Sequence, residues 1–240
     1  MEIKEFKQEL EKYLNELKIE LNENQINSFY KYMNLLIKWN EKINLTAITD
    51  PKEIIMKHFI DSLTINKYIE KDAKLIDIGT GAGFPGIPLK ILRQDITVTL
   101  VDSLNKRINF LNEVIKEIGL EKIETIHSRA EEIGKNVKYR EKYDMATSRA
   151  VANIATLSEY LIPLVKEKGK CIYMKGPDIE EELLNGKKAI NVLGGEVIKK
   201  EEFSLPKSDI KRTIIIINKI KRTPNNYPRK AGMPAKEPIK

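Results

Sequence analysis

The sequence predicts an α/β protein whose seven-stranded sheet is mostly parallel, with an antiparallel last strand and an N-terminal helical extension. Three observations predict it. Residues 1–70 carry apolar side chains at helical spacing and show no strand pattern. From Lys74 onward, short β-branched runs alternate strictly with helical patterns, as parallel strands joined by crossover helices on both faces do. The last two strand patterns have no helix between them, so they form an antiparallel hairpin at one edge.

In order along the chain, Phe6, Leu10, Tyr13, Leu14 and Leu17 place an amphipathic helix over residues 3–18. Asn22 is a natural N-cap for a second helix with Ile26, Phe29, Tyr30, Met33 and Ile37 on one face, ending near Trp39. Asp50-Pro51 joins a cap to a first-turn proline, and a third helix runs through Ile54, Ile55, His58, Phe59 and Leu63. Strands follow at residues 75–78, 96–101, 122–127, 143–147 and 170–174. Helices separate them at 85–93, 103–118 and 154–165, the second stopped by Gly119 as a left-handed cap. A helix over 179–193 ends at Gly194-Gly195, and strands at 195–205 and 213–220 are joined by a polar turn at Pro206-Lys207-Ser208-Asp209. The expected parts are a helical extension (1–70), a sheet domain (71–220) and a basic, proline-containing C-terminal arm (221–240) with little periodicity.

Charge is unevenly placed. The chain carries +7 overall, with −2 on residues 1–50, +1 on 51–198 and +8 on 199–240. Such a basic end suits a polyanion such as nucleic acid, or serves as a solubilising tail. The single cysteine, Cys171, excludes an intrachain disulfide and a multi-cysteine zinc site, and fits a reducing compartment. There is no apolar run near the ~18 residues of a membrane span and no signal-peptide core, so a cytoplasmic protein is expected. His58 and His127 lack metal-ligand spacing, and no metal is expected.

The strongest motif is Asp77-Ile78-Gly79-Thr80-Gly81-Ala82-Gly83, between the first sheet strand and a helix. Glycines there let the backbone turn sharply and let a ligand approach closely. Asp102 ends the second strand, where a carboxylate can accept the hydrogens of both ribose hydroxyls. Gly81, Gly83 and Gly86 also satisfy the dinucleotide fingerprint. The run that starts earlier at Gly79, Pro85 and Pro88 at the helix start, and the antiparallel ending instead favour a Rossmann-like fold binding S-adenosylmethionine. The segment Ser128-Arg129-Ala130-Glu131-Glu132 follows the third strand, where the chain of such a fold passes the adenine, or it simply opens a solvated helix. Arg149 ends the fourth strand and can pair with a cofactor carboxylate, with an RNA phosphate, or with a protein acid. Cys171 in its strand and His58 on its apolar helix face read as packed residues.

On these residues the chain resembles the bacterial small-subunit ribosomal RNA methyltransferase G family (glucose-inhibited division protein B). The matching segments are Trp39-Asn40 with Asn44-Leu45-Thr46, His58 to Leu63, Asp77 to Leu89, Asp102 to Arg107, Ser128 to Glu131, Ser148-Arg149-Ala150, Lys175-Gly176, and the tail from Tyr227 to Pro234. The resemblance implies methyl transfer from S-adenosylmethionine to N7 of one guanine in 16S ribosomal RNA, free or in a small-subunit precursor, by a monomer. It implies cofactor contacts at Gly79, Phe84, Ala130, Glu131 and Arg149, beside Gly81 and Asp102 from the motif. Guanine N7 has no proton to lose, so no catalytic side chain is assigned. Arg229 and Lys230 of the tail are the expected RNA contacts, with Tyr227 able to stack on a base.

Overall fold

The helical start forms as its apolar spacing dictates in the computed structural model, which describes residues 1–149 and 151–239. Ala150 of the Ser148-Arg149-Ala150 segment and Lys240 lie outside the described residues. Helix α1 (Ile3–Leu17) buries Phe6, Leu10, Tyr13 and Leu14. Helix α2 (Glu23–Asn40) opens on a reciprocal capping box in which Asn22 and Gln25 each accept the other's backbone N–H at 2.9 Å. Its buried face is Ile26, Phe29, Tyr32, Met33 and Leu36; Tyr30 and Ile37, expected there, flank it half-buried. The stripe widens toward the sheet, where the Tyr32 hydroxyl donates to the Ala82 carbonyl. Asp50 caps α3 (Pro51–Ile54) by accepting from the Glu53 N–H at 3.0 Å. The chain then widens into a π-helical stretch, Ile55–Ile60, before α4 (Asp61–Leu63). Apolar spacing does not distinguish such a turn from an α-helix; here it carries His58 into the core.

The alternating part gives β1 (Lys74–Ile78), α5 (Gly86–Leu92), β2 (Thr97–Asp102), α6 (Asn105–Ile118), β3 (Ile123–His127), α7 (Ala130–Lys135) and β4 (Tyr143–Arg149). It continues with α8 (Ile154–Leu161), β5 (Val165–Lys175), α9 (Glu180–Val192), β6 (Gly195–Ser204), β7 (Lys211–Lys219) and a short α10 (Met233–Lys236). Helix α8 stops short of the expected residue 165 because Pro163 cannot continue it; a 3₁₀ turn intervenes and Val165 already pairs with Tyr143 of β4. The sheet order is β3-β2-β1-β4-β5-β7-β6, parallel from β3 to β5, with β7 antiparallel to both β5 and β6.

The closing hairpin is thus folded into the sheet, with β7 inside and β6 at the edge. That position explains the run Ile214-Ile215-Ile216-Ile217, buried on both faces. Strand β6 instead exposes Lys199, Lys200 and Glu202, charges that discourage edge pairing. One face of the sheet, with Leu75, Val98, Leu100, Met145, Ile172 and Ile216, packs on α1, α2, the π-helical stretch, α5 and α6. The other, with Ile76, Val101, Ala146, Cys171, Tyr173 and Ile217, packs on α7, α8 and α9.

The C-terminal segment is not the extended arm its composition suggested. It lies back on α7 and α8. Arg140 donates to the carbonyls of Thr223, Pro224 and Tyr227 at 2.6–3.2 Å, and Pro228 packs so close to Gly134 that a Cβ there would meet its ring at 2.8 Å. The Arg229 guanidinium, expected on RNA, grips both oxygens of Glu159, whereas Lys230 is exposed. Buried acids on the helices hold the segment there: Glu159 accepts from Arg229 and Glu131 from the Gly232 amide.

Two glycines separate backbone strain from crowding. Gly119 caps α6 at φ +73° with nothing within 4 Å of an added Cβ, so Gly119→Ala should lower Tm by only about 2–8 °C. An added Cβ at Gly86 would lie 2.3 Å from Leu100 Cδ2 and 3.0 Å from Asp77 Oδ2, so Gly86→Ala should lower it considerably further. Equal losses in thermal unfolding would contradict the tight α5–β2 packing that positions the glycine loop.

Candidate active site

The loop after β1 is held by its neighbours before any ligand arrives. The Gly79 and Thr80 amides both donate to the Val101 carbonyl, at 2.9 and 3.1 Å, extending the β1–β2 pairing past the strand end. Gly79 turns at φ +66°, and a Cβ there would strike Val151 Cγ2 at 2.7 Å. Gly81, at φ +61°, faces open space: the nearest atom to an added Cβ is the Gly79 carbonyl oxygen at 4.0 Å. Asp77, fully buried, ties the loop to α5 by accepting from Thr80 Oγ1 at 2.7 Å and from the Gly86 N–H at 3.0 Å. Burial pushes its carboxyl up to about 6, and its other oxygen has no partner among the described residues.

A cavity of about 460 Å³ opens over this loop, lined by Gly79, Thr80, Gly81, Ala82, Phe84, Asp102 and Ser103 below and by Leu45, Thr46, His58, Arg149 and Val151 around it. Five of the expected cofactor residues therefore come together: Gly79, Gly81, Phe84, Asp102 and Arg149. Ala130 and Glu131 do not line this cavity. They open α7 next to it, where the Ser128 N–H donates to the Asp102 carbonyl at 3.1 Å, and the Glu131 carboxylate accepts from the Gly232 N–H at 2.7 Å. Asp102 already braces the loop, accepting from the amides of Gly81 and Leu104 at 2.9 Å and from Arg107 at 3.2 Å. Those bonds leave one acceptor direction for a ribose hydroxyl.

Arg149 is largely buried, its side chain 15% exposed, and both terminal nitrogens of its guanidinium are engaged. One nitrogen donates to the Lys57 carbonyl at 3.1 Å and to Asp61 at 3.2 Å; the other faces His58 Nδ1 at 3.2 Å. Arg212 of β7 donates to the same Asp61 at 3.1 Å. His58 Nε2 lies 2.9 Å from Thr46 Oγ1, which also accepts the Ile48 N–H. Asn40, in turn, accepts from the amides of Leu45 and Thr46, fixing that loop. Because Nδ1 faces a donor, it must be an acceptor, and the ring proton sits on Nε2. The His58 ring stacks on Phe84 with centroids 4.4 Å apart, and the Arg149 guanidinium lies 5.0 Å from the same ring. Phe84 thus supports the His58–Arg149 pair.

His58 and Arg149 also form a wall of a second cavity, of about 430 Å³, with Lys57, Asp61, Met174, Lys175, Gly176 and Arg212. Sequence reading missed three residues here. His58 was read as packed, and it is packed, yet it borders both cavities. Asp61 carries a signal only within the matching segment His58 to Leu63, and Arg212 none, because their meeting depends on β7 lying inside the sheet. Cys171 is buried in β5 with its thiol pushed up to about 12, an inert packing residue. Among the described residues there is no cluster of three or more metal-ligating side chains, and no helix is long and apolar enough to cross a membrane.

The strand order with antiparallel β7, the glycine loop after β1 and the acid ending β2 define an S-adenosylmethionine-dependent methyltransferase. The fold is shared with M. jannaschii TYW2 in complex with AdoMet (TM-score 0.53, 16% identity, 68% of this chain and 76% of that one). It is also shared with a mutant of MtNAS in complex with S-adenosylmethionine (TM-score 0.54, 14% identity, 81% and 75%). The profile of rRNA small subunit methyltransferase G matches residues 25–212. The chain is 56% identical to Ribosomal RNA small subunit methyltransferase G of Desulforamulus reducens over 96% of its own length and 97% of the relative's. It is 52% identical to that of Alkaliphilus oremlandii over 100% of both. This chain belongs to the rRNA small subunit methyltransferase G family.

Burial and the Arg149 charge pull the His58 pKa down to about 3 from its ordinary 6.5. The unfolded chain therefore takes up this proton first, and folding loses stability as the pH falls below 6.5 toward 3. Between pH 7.5 and 5 the difference in unfolding free energy between wild type and His58→Gln should shift against wild type by about 2 kcal/mol. Asp77, whose pKa is raised, acts in the opposite direction, but it is common to both proteins and cancels. A pH-independent difference by denaturant titration would contradict the buried neutral imidazole.

Proposed function

We propose that this protein methylates N7 of one guanine in 16S ribosomal RNA, as free RNA or in a small-subunit precursor, acting in the cytoplasm as a monomer. The observation that carries this is the pair of cavities sharing the His58–Arg149 wall: one over the glycine loop, the other rich in cationic side chains. S-adenosylmethionine supplies a methyl group on a sulfonium centre. Gly79, Gly81, Asp102 and Arg149 border the cavity that would hold it; Phe84 supports that wall, and Ala130 and Glu131 lie on its base side. The fit is physical, since Gly81 leaves open the space that any larger side chain would fill.

The second cavity is offered to the acceptor nucleotide. Lys57, Arg149, Lys175 and Arg212 line it; Asp61 bridges the two arginines, while Lys57 and Lys175 pair with Glu53 and Glu182 outside the lining, from which an RNA phosphate would draw them. Guanine N7 carries an in-plane lone pair and no proton, so the residues need only hold the base in line and exclude water. A neutral His58 with both nitrogens engaged suits that role and does not act as a base. For the RNA backbone, Lys230 is the exposed candidate in the tail; Arg229 reaches phosphate only by leaving Glu159.

Two variants separate the cavities. Gly81→Ala should bind S-adenosylmethionine at least about tenfold more weakly by calorimetry, with a stability cost of only about 1–2 kcal/mol for its φ. Lys175→Ala should raise KM for RNA several-fold while leaving cofactor affinity unchanged. Methyl label from the wild type should map to N7 of a single guanine in 16S RNA. Label on another atom or in another RNA would overturn the proposed acceptor, and undiminished cofactor binding by Gly81→Ala would overturn the cofactor site.

A further inference from the structure

The C-terminal segment satisfies two buried acids on the other side of the cofactor cavity. Glu159 of α8 is fully buried, and Arg229 is its hydrogen-bonding partner among the described residues: the Arg229 amide donates at 2.6 Å and its guanidinium at 2.7–3.1 Å. Glu131 is 5% exposed at the start of α7, and the Gly232 amide donates to it at 2.7 Å. Thr156, buried in α8, fastens the segment further along by donating its hydroxyl to the Pro234 carbonyl at 2.9 Å. A buried carboxylate left without its donor is costly, so release of the tail would force Glu131 and Glu159 toward water or protonation. Glu131 cannot move without moving the α7 start, which is joined to Asp102 through the Ser128 amide.

We propose that residues 227–236 are a positioning element for methyl transfer: docked through Arg229–Glu159 and Gly232–Glu131, they hold the β3–α7 turn in the shape that receives the cofactor's base. This rests on the reading that Ala130 and Glu131 face that base. The Arg229 and Gly232 contacts act through the turn and touch neither the acceptor base nor the methyl group; exposed Lys230 takes no part in them. Its chemistry is therefore opposite to that of a basic arm. Loss of a positioning element weakens the cofactor and leaves RNA affinity with its salt dependence intact, whereas loss of an arm does the reverse.

The test uses the full chain with Arg229→Ala, Arg229→Lys and Thr156→Val, the last a near-isosteric change that loosens the tail should Arg229→Ala fold poorly. S-adenosylhomocysteine binding is followed by calorimetry and by hydrogen exchange at residues 129–133, and methylation of 16S RNA is measured at several salt concentrations. In the wild type, S-adenosylhomocysteine should protect residues 129–133. Arg229→Ala and Thr156→Val should lose that protection and raise KM for S-adenosylmethionine about tenfold, with kcat at saturation and the salt slope for RNA unchanged. Arg229→Lys, which keeps the charge but not the two-pronged grip, should fall between. Free exchange of the tail with unchanged cofactor affinity would overturn the inference, as would weakened RNA binding with an unmoved cofactor KM. Absence of protection in the wild type would instead remove the base-side reading itself, and this inference with it.

Discussion

A guanidinium buried at the end of a central strand is the constraint on which the rest of the site depends. Arg149 leaves β4 where the sheet's carboxyl edge opens, and a guanidinium only 15% exposed there calls for a counter-charge and hydrogen-bond acceptors. Asp61, the Lys57 carbonyl and His58 supply them, and all three come from the helical segment. That segment is therefore built into the site. It also explains the π-helical stretch, which places His58 and Asp61 on the guanidinium while Phe59 stays in the core. Arg212 brings β7 to the same carboxylate, so the fourth strand, the last strand and the N-terminal helices meet at one cluster.

The cluster has a chemical consequence. Burial, with the Arg149 charge beside it, holds His58 neutral, and Arg149 faces its lone pair, leaving a wall with no free base between the two cavities. For a nucleophile that carries no proton, a rigid wall that sets distance and excludes water is worth more than a proton acceptor. Phe84 supports this wall from the glycine loop, and the Tyr32 hydroxyl holds the same loop from α2. On the opposite flank the tail supplies donors to Glu131 and Glu159, so both ends of the chain brace the carboxyl edge of the sheet.

Much of this was legible in the sequence because it rests on local signals. Apolar periodicity placed the helices, and β-branched runs placed the strands. Asn22 marked a helix start by its capping side chain, and Gly119 a helix end by the left-handed backbone that a residue without Cβ adopts freely. The glycine loop and Asp102 were legible because strand, turn and helix are consecutive. What stayed hidden depends on contacts distant in sequence. That Ile214 to Ile217 lie inside the sheet, that Asp61 meets Arg212, and that Glu159 captures Arg229 are each set by packing between segments far apart along the chain. Composition suggested an extended tail, whereas the tail packs on α7 and α8. Six basic residues read as an RNA arm until a fully buried glutamate is seen to take one of them.

The Arg149–Asp61 pair joins the helical segment to the sheet and so shapes the cavity over the glycine loop. A double-mutant cycle with Arg149→Met and Asp61→Asn, read on both unfolding free energy and S-adenosylhomocysteine affinity, tests this coupling. A coupling of about 2 kcal/mol in stability is expected, with each single variant losing cofactor affinity and the double variant losing little more than either. Additive effects on both quantities would show that the two residues act independently and would contradict it.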